Sequence, residues 1–250
     1  MSTKDCFVCN KIHRHFIGLK FEQYYRGKVM KCENCSQTHK IGFKKEEENI
    51  IFLGSSTFYN VRLQNLKKCV VFDTTCGGKI DQVELMYDIF LRPLIDYKFI
   101  IIISIGLNDF HRKDLSTLKQ NFHDLKKKIE KNPNHKAIFG TLLIAPKLVY
   151  HLNMNTKRAE KNSFKMEKMQ NLNRYLKTLS STHYCLDKFG YSLKRRHKLR
   201  LQRKRWREFR GKDELSVLKS LHLKPKHQKI ALKSLLNQIH FKLYGTKLIN

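Results

Sequence analysis

The chain has 250 residues, enough for one sizeable α/β domain and a small appendage, and enough to bury a core. Lys and Arg number 51 against 21 Asp and Glu, a formal charge of +30 with a pI near 10, so polyanions are the expected partners, nucleic acid ahead of anionic membrane. The first ten residues lack a hydrophobic signal core, and the longest apolar run, Phe99 to Ile105, is too short to span a bilayer. An intracellular protein, nuclear or cytoplasmic, is expected.

The seven cysteines include two Cys-x-x-Cys units, Cys6–Cys9 and Cys32–Cys35. Each unit can place two thiolates on one metal, and the pair completes the tetrahedral sulfur site that zinc prefers. The segment between them has little to build a core from, so a structural Zn2+ would supply much of its folding free energy. His13, His15 and His39 are alternative ligands or ordinary surface histidines. A redox role is disfavoured, because no βαβ pattern adjoins the cysteines. A zinc-binding module over residues 1–45 follows, with the charged stretch Lys44–Asn49 as the link to a body over 49–250.

Ile50–Leu53 is a short run of β-formers that stops at Gly54, before Ser55 and Ser56. A helix is expected over Phe58–Leu66, a strand over Cys69–Asp73, a turn at Gly77–Gly78 and a helix over Ile80–Leu91. Lys98–Gly106 is nearly continuous in β-branched residues, the pattern of a central parallel strand buried on both faces. It leads into Gly106-Leu-Asn108-Asp109. Leu115, Leu118, Phe122, Leu125 and Ile129 make a helical stripe, and Ala137–Ile144 reads as a fourth strand closed by Ala145-Pro146. A longer helix places Met169, Leu172, Leu176 and Leu179 on one face; Thr182–Leu186 suggests a fifth strand and Lys226–Ile239 a final helix. This alternation argues for a doubly wound parallel α/β sheet. No internal repeat beyond the two knuckles is visible.

In such a sheet ligands bind beyond the carboxyl ends of the strands. Gly54-Ser-Ser56, Gly77, Gly106-Leu-Asn108-Asp109 and His222-Leu223 occur in that order, each after a strand or before the last helix. The set resembles the SGNH (GDSL-type) hydrolase family, whose four blocks contribute a serine, a glycine, an asparagine and a histidine. The similarity covers residues 49 to 241, with Thr141–Pro146 resembling the family's fourth strand and its exit. It implies a flavodoxin-like fold and an ester substrate. Ser56 would be the nucleophile, His222 the general base, and the N–H groups of Ser56 and Gly77 with the Asn108 amide the oxyanion donors. Residue by residue, plainer readings exist: Ser56 as a helix cap, Gly77 or Gly78 as a turn former, Asn108 as a loop amide and His222 as a surface residue.

The chain departs from the family at two places. Ser55 stands where the first block usually has aspartate, and Lys219 stands where the family has an aspartate three residues before its histidine. Asp213 and Glu214 are the nearest carboxylates in sequence. Losing the acid weakens such a site severely without erasing catalysis. The second expected function is therefore a lapsed SGNH-like scaffold that binds RNA or DNA. Its binding residues would lie in a basic insertion at about 188–213, whose Lys194, Arg195, Arg196, Arg200, Arg203, Arg205, Arg207 and Arg210 suit phosphate while Trp206 suits a base. The run reads as a basic helix or as an arm that orders on a polyanion, and also as a nuclear-localisation signal. Zinc module, basic chain and SGNH-like domain together are similar in architecture to first-reading-frame proteins of some non-LTR retrotransposons.

Overall fold

The structure is a computed structural model that describes residues 4–5, 12–13, 45–54, 69–72, 79–153, 155, 159–180, 182–186, 191–193, 199–201 and 223–245. The chain divides into two compact units: residues 1–59, 66–109 and 120–138, and residues 60–65, 110–119 and 139–250.

The first unit is organised by the β-branched runs. Strand β1 (Glu48–Gly54) pairs in parallel with β2 (Cys69–Phe72) on one side and β3 (Lys98–Ser104) on the other. Strand β4 (His135–Phe139) lies beside β3, giving a sheet ordered β2-β1-β3-β4. Six of the seven β3 residues, Phe99 to Ser104, are buried, as the unbroken apolar run requires of a central strand. A fully buried isoleucine or phenylalanine stabilises the fold by about 1.5–3 kcal/mol over an exposed one, so this strand anchors the unit. The link expected over Lys44–Asn49 is shorter than the sequence suggests. Glu48 and Asn49 already pair with Lys98 and Phe99, and the Asn49 amide donates to Lys98 O at 3.2 Å.

The helix expected over Ile80–Leu91 is α-helical only over α1 (Ile80–Met86); Tyr87–Leu91 follows as a π-helical turn, with Arg92 N–H donating to Tyr87 O at 2.8 Å. Helix α2 (Leu115–Glu130) buries Leu118, Phe122, Leu125 and Ile129 of the predicted stripe. Asp114 caps it, accepting from Thr117 N–H at 2.7 Å.

In the second unit the strand read over Ala137–Ile144 stops at Phe139. Gly140 makes an isolated parallel bridge to Tyr184, and Thr141 N–H donates to Tyr184 O at 3.0 Å. Leu142 then finds a side chain in place of a neighbouring strand. Its N–H donates to Asn173 Oδ1 at 2.7 Å and its carbonyl accepts from Asn173 Nδ2 at 3.0 Å. The apolar run continues because Leu142 to Ala145 are buried, but the ladder does not. The fifth strand expected over Thr182–Leu186 is accordingly only the bridge at Tyr184, seconded by Leu186 N–H donating to Thr141 Oγ1 at 2.6 Å.

Helix α3 (Pro146–Val149) and the hairpin of β5 (Tyr150–Leu152) and β6 (Ala159–Lys161) lead to α4 (Ser163–Leu179). Helix α4 buries Met166, Met169, Leu172, Leu176 and Leu179. Within the basic insertion, β7 (Tyr191–Leu193) and β8 (Leu199–Leu201) pair antiparallel, so Arg200 stands on a strand opposite Ser192 and not on a basic helix. The closing helix α5 runs Pro225–Tyr244, longer than expected, and ends at Gly245 with φ +71°. Among the described residues, no helix is long and apolar enough to cross a membrane.

Candidate active site

The order β2-β1-β3-β4 reverses direction between β1 and β3, and such a switch point opens a crevice beyond the carboxyl ends of those strands. Leu53 lies opposite Ile103 and Gly54 opposite Ser104, so the two strands end level. Ser55 and Ser56 are the next residues after β1 in the chain, and Gly106 to Asp109 follow β3.

Of the predicted catalytic residues, Asn108 is described. The chain turns into its loop at Gly106, where φ of +113° demands glycine. Leu107 and Asp109, on either side of Asn108, are buried, and Phe110 beyond them is buried too. Asn108 itself is half-exposed, held between two anchored neighbours.

Asp109 does more than fill space. It is 1% exposed, and its Oδ2 accepts the N–H of Ile80, the first residue of α1, at 3.1 Å. Gln82 Oε1 accepts the N–H of Lys79 at 2.8 Å, completing the cap. The loop that carries Asn108 is thus fastened to the start of the helix that follows Gly77-Gly78. Asp109 belongs to the third of the ordered blocks, and the resemblance assigns it no role. Its position directly after Asn108 was the available signal; its partner, 29 residues earlier in the chain, was not legible.

Ser56, Gly77 and His222 lie outside the described residues, as do Lys219, Asp213 and Glu214. The residue after His222, Leu223, is buried, and Lys224 precedes α5 as its cap. Cys6, Cys9, Cys32 and Cys35 also lie outside, as do Lys194, Arg195, Arg196, Arg203, Arg205, Trp206, Arg207 and Arg210. Lys4–Asp5 and Ile12–His13, which flank the first cysteine pair in sequence, form a short antiparallel ladder.

No protein-family model matches the chain, and no curated protein matches it significantly. Solved structures do. A candidate acylhydrolase from Bacteroides fragilis superposes with a TM-score of 0.54 at 14% identity, over 84% of this chain and 95% of that one. A structure from Streptococcus pneumonia, described as a candidate platelet activating factor, gives 0.50 at 18% identity over 87% and 90%. A GDSL-like lipase from Bacteroides thetaiotaomicron gives 0.49 at 13% identity over 89% and 98%. At these identities the likeness is one of fold alone: the chain shares with the first two structures an α/β fold, here with a parallel sheet.

Proposed function

We propose that the chain is an SGNH-type serine ester hydrolase. The observation that carries this reading is the level ending of β1 and β3 at the switch point, with Ser55-Ser56 next in sequence after one strand and the anchored Asn108 after the other. In the proposed reaction Ser56 Oγ attacks the carbonyl carbon of an acyl or acetyl ester while His222 takes its proton. The oxyanion is met by the N–H groups of Ser56 and Gly77 and by the Asn108 amide. Collapse of the intermediate expels the alcohol, which leaves with the proton from His222. Water, deprotonated by the same imidazole, then releases the acid and frees Ser56. Each oxyanion donor contributes about 3 kcal/mol to the transition state. With Lys219 in the place of the customary aspartate, the imidazolium lacks its usual stabilisation and turnover is slow.

Fluorophosphonate labelling of the purified protein tests this directly. Wild-type protein is expected to label, and Ser56→Ala and His222→Ala to lose the label. A folded wild-type protein that takes no label overturns the hydrolase reading.

A second reading is favoured by the +30 charge: a lapsed scaffold that binds RNA or DNA through the run from Lys194 to Arg210, in the manner of the retrotransposon proteins whose architecture it resembles. That reading fits a nuclear or cytoplasmic location. In either case Cys6, Cys9, Cys32 and Cys35 would hold one structural Zn2+. The short ladder of Lys4–Asp5 with Ile12–His13 supports a knuckle at the first pair.

A further inference from the structure

The loop leaving β3 continues past Asn108 through Phe110, His111, Arg112 and Lys113, and α4 clamps this continuation. Lys168 Nζ donates to Phe110 O at 2.8 Å and to Lys113 O at 2.6 Å, and lies 4.6 Å from the centre of the Phe110 ring. Helix α3 is fastened to the same helix, because Asn162, the N-cap of α4, donates its N–H to Val149 O at 2.8 Å. Three pieces of chain are thereby held together: the loop with Arg112, α3 with Lys147, and the first turn of α4 with Phe164 and Lys165. His111 registers the resulting charge. Partial burial first, and then the ammonium groups of Lys165, Lys147 and Lys168, hold its pKa below the ordinary histidine value.

Arg112, Lys147 and Lys165 are exposed, and none forms an ion pair with a described carboxylate. Asp114, whose charge reaches Lys168, is committed to capping α2: it accepts from Ser116 Oγ at 2.6 Å and from Thr117 N–H and Oγ1, both at 2.7 Å. Glu167 is exposed and stands three residues after Phe164, so it borders the ring; it is the one carboxylate in the first two turns of α4, against Lys165 and Lys168. The first turn of α4 contains no acidic residue, so its dipole adds to the positive field. Among these cations stands Phe164, 77% exposed and the one exposed large apolar side chain among the described residues of 110–119 and 139–186. A bilayer would call for a contiguous apolar area. A single exposed aromatic side chain on segments that also carry separate cations suits a chain that alternates phosphate with a planar base.

We propose that Arg112, Lys147, Lys165 and Phe164 form a binding surface for single-stranded nucleic acid, the three cations taking phosphates and the phenyl ring stacking on a base. The surface is independent of the serine chemistry and separate in sequence from the 194–210 run.

The test is fluorescence anisotropy with fluorescein-labelled single-stranded RNA and DNA of about 12 nucleotides, at several salt concentrations, using the full chain. The background is a variant whose Lys and Arg residues over 194–210 are changed to Gln, so that binding through that run is removed. In it, Phe164→Ala is expected to weaken binding roughly tenfold with the salt slope unchanged. The triple change Arg112→Gln, Lys147→Gln, Lys165→Gln is expected to flatten the slope of log affinity against log salt by about 2, at about 0.7 per phosphate contact. Circular dichroism confirms folding of each variant; Arg112, Lys147, Phe164 and Lys165 are all exposed. The proposal is overturned if neither variant alters binding, if the background binds no oligonucleotide, or if it binds phosphatidylserine vesicles in preference to one.

Discussion

A buried imidazole has two ring nitrogens to satisfy, and His135 does so through a chain of partners within the first unit. Tyr87 Oη donates to Ile129 O at 3.2 Å and lies 2.9 Å from His135 Nδ1, while Asn132 Nδ2 lies 3.2 Å from Nε2. The tautomer with the proton on Nδ1 suits the two closer partners, Nδ1–H donating to Tyr87 Oη and Nε2 accepting from Asn132, while the Leu94 carbonyl, 3.4 Å from Nε2, is a partner only for the protonated ring. Burial holds the His135 pKa below its ordinary value, the carbonyls of Leu94 and Tyr97 pulling partly the other way. Burial likewise pushes the Tyr87 hydroxyl up to about 12, so it stays protonated. Above about pH 6.5 the imidazole is neutral in both folded and unfolded chains and has no effect on the pH dependence. As pH falls below that value the unfolded chain takes up a proton that the folded chain refuses, and stability declines until the folded pKa is reached. The loss approaches about 1.4 kcal/mol per pH unit for one such group. Urea midpoints between pH 7 and pH 5 should therefore fall less steeply for His135→Asn than for the wild type. Identical slopes would show that the folded protein accommodates the charged ring.

At the scale of elements, the decisive place is the exit from β4. Gly140 packs against Tyr184, whose side chain is fully buried; a Cβ on Gly140 would lie 1.8 Å from Tyr184 Cε2. Neither group has room to retreat, so Gly140→Ala should destabilise the protein by about 1–3 kcal/mol, read as a lowered urea midpoint with unchanged slope. A midpoint equal to the wild type would mean that the ring relocates freely. The same region explains where reading the sequence overshot. Apolar composition marks burial, and Ala137–Ile144 is buried throughout, but ladder pairing depends on whether a neighbouring backbone is there. The partners of Thr141 and Leu142 come from Tyr184 and the Asn173 side chain, and an asparagine in a helical run gives no sign in sequence that it will serve a loop. The central strand needed no such partner knowledge, because an unbroken β-branched run has few other solutions.

At the scale of the whole molecule, charge dominates. A net +30 over 250 residues is a self-repulsion that the compact state must bear, and counterions relieve it. Raising NaCl from about 0.05 M to about 0.5 M should therefore raise the thermal midpoint while weakening any polyanion bound. A midpoint that falls with salt would mean that attractive ion pairs, such as Lys128 with Glu84 and Asp88, outweigh the repulsion. The parallel sheet and the place of Asn108 after β3 were legible, because strand patterning and an ordered set of loop residues both report on topology; the order of the strands was not. The tie from Asp109 to Ile80 and the surface around Phe164 were not, since each depends on residues brought together across long stretches of chain.

The amide of Asn173 has a further consequence. A strand that runs out of neighbours exposes a row of donors and acceptors to any other chain, and proteins blunt such rows to stay monomeric through synthesis and storage. By occupying both backbone groups of Leu142 with one buried side chain, the fold closes that row from within. One buried amide thus leaves one pair of backbone groups fewer at which a second copy could join the sheet.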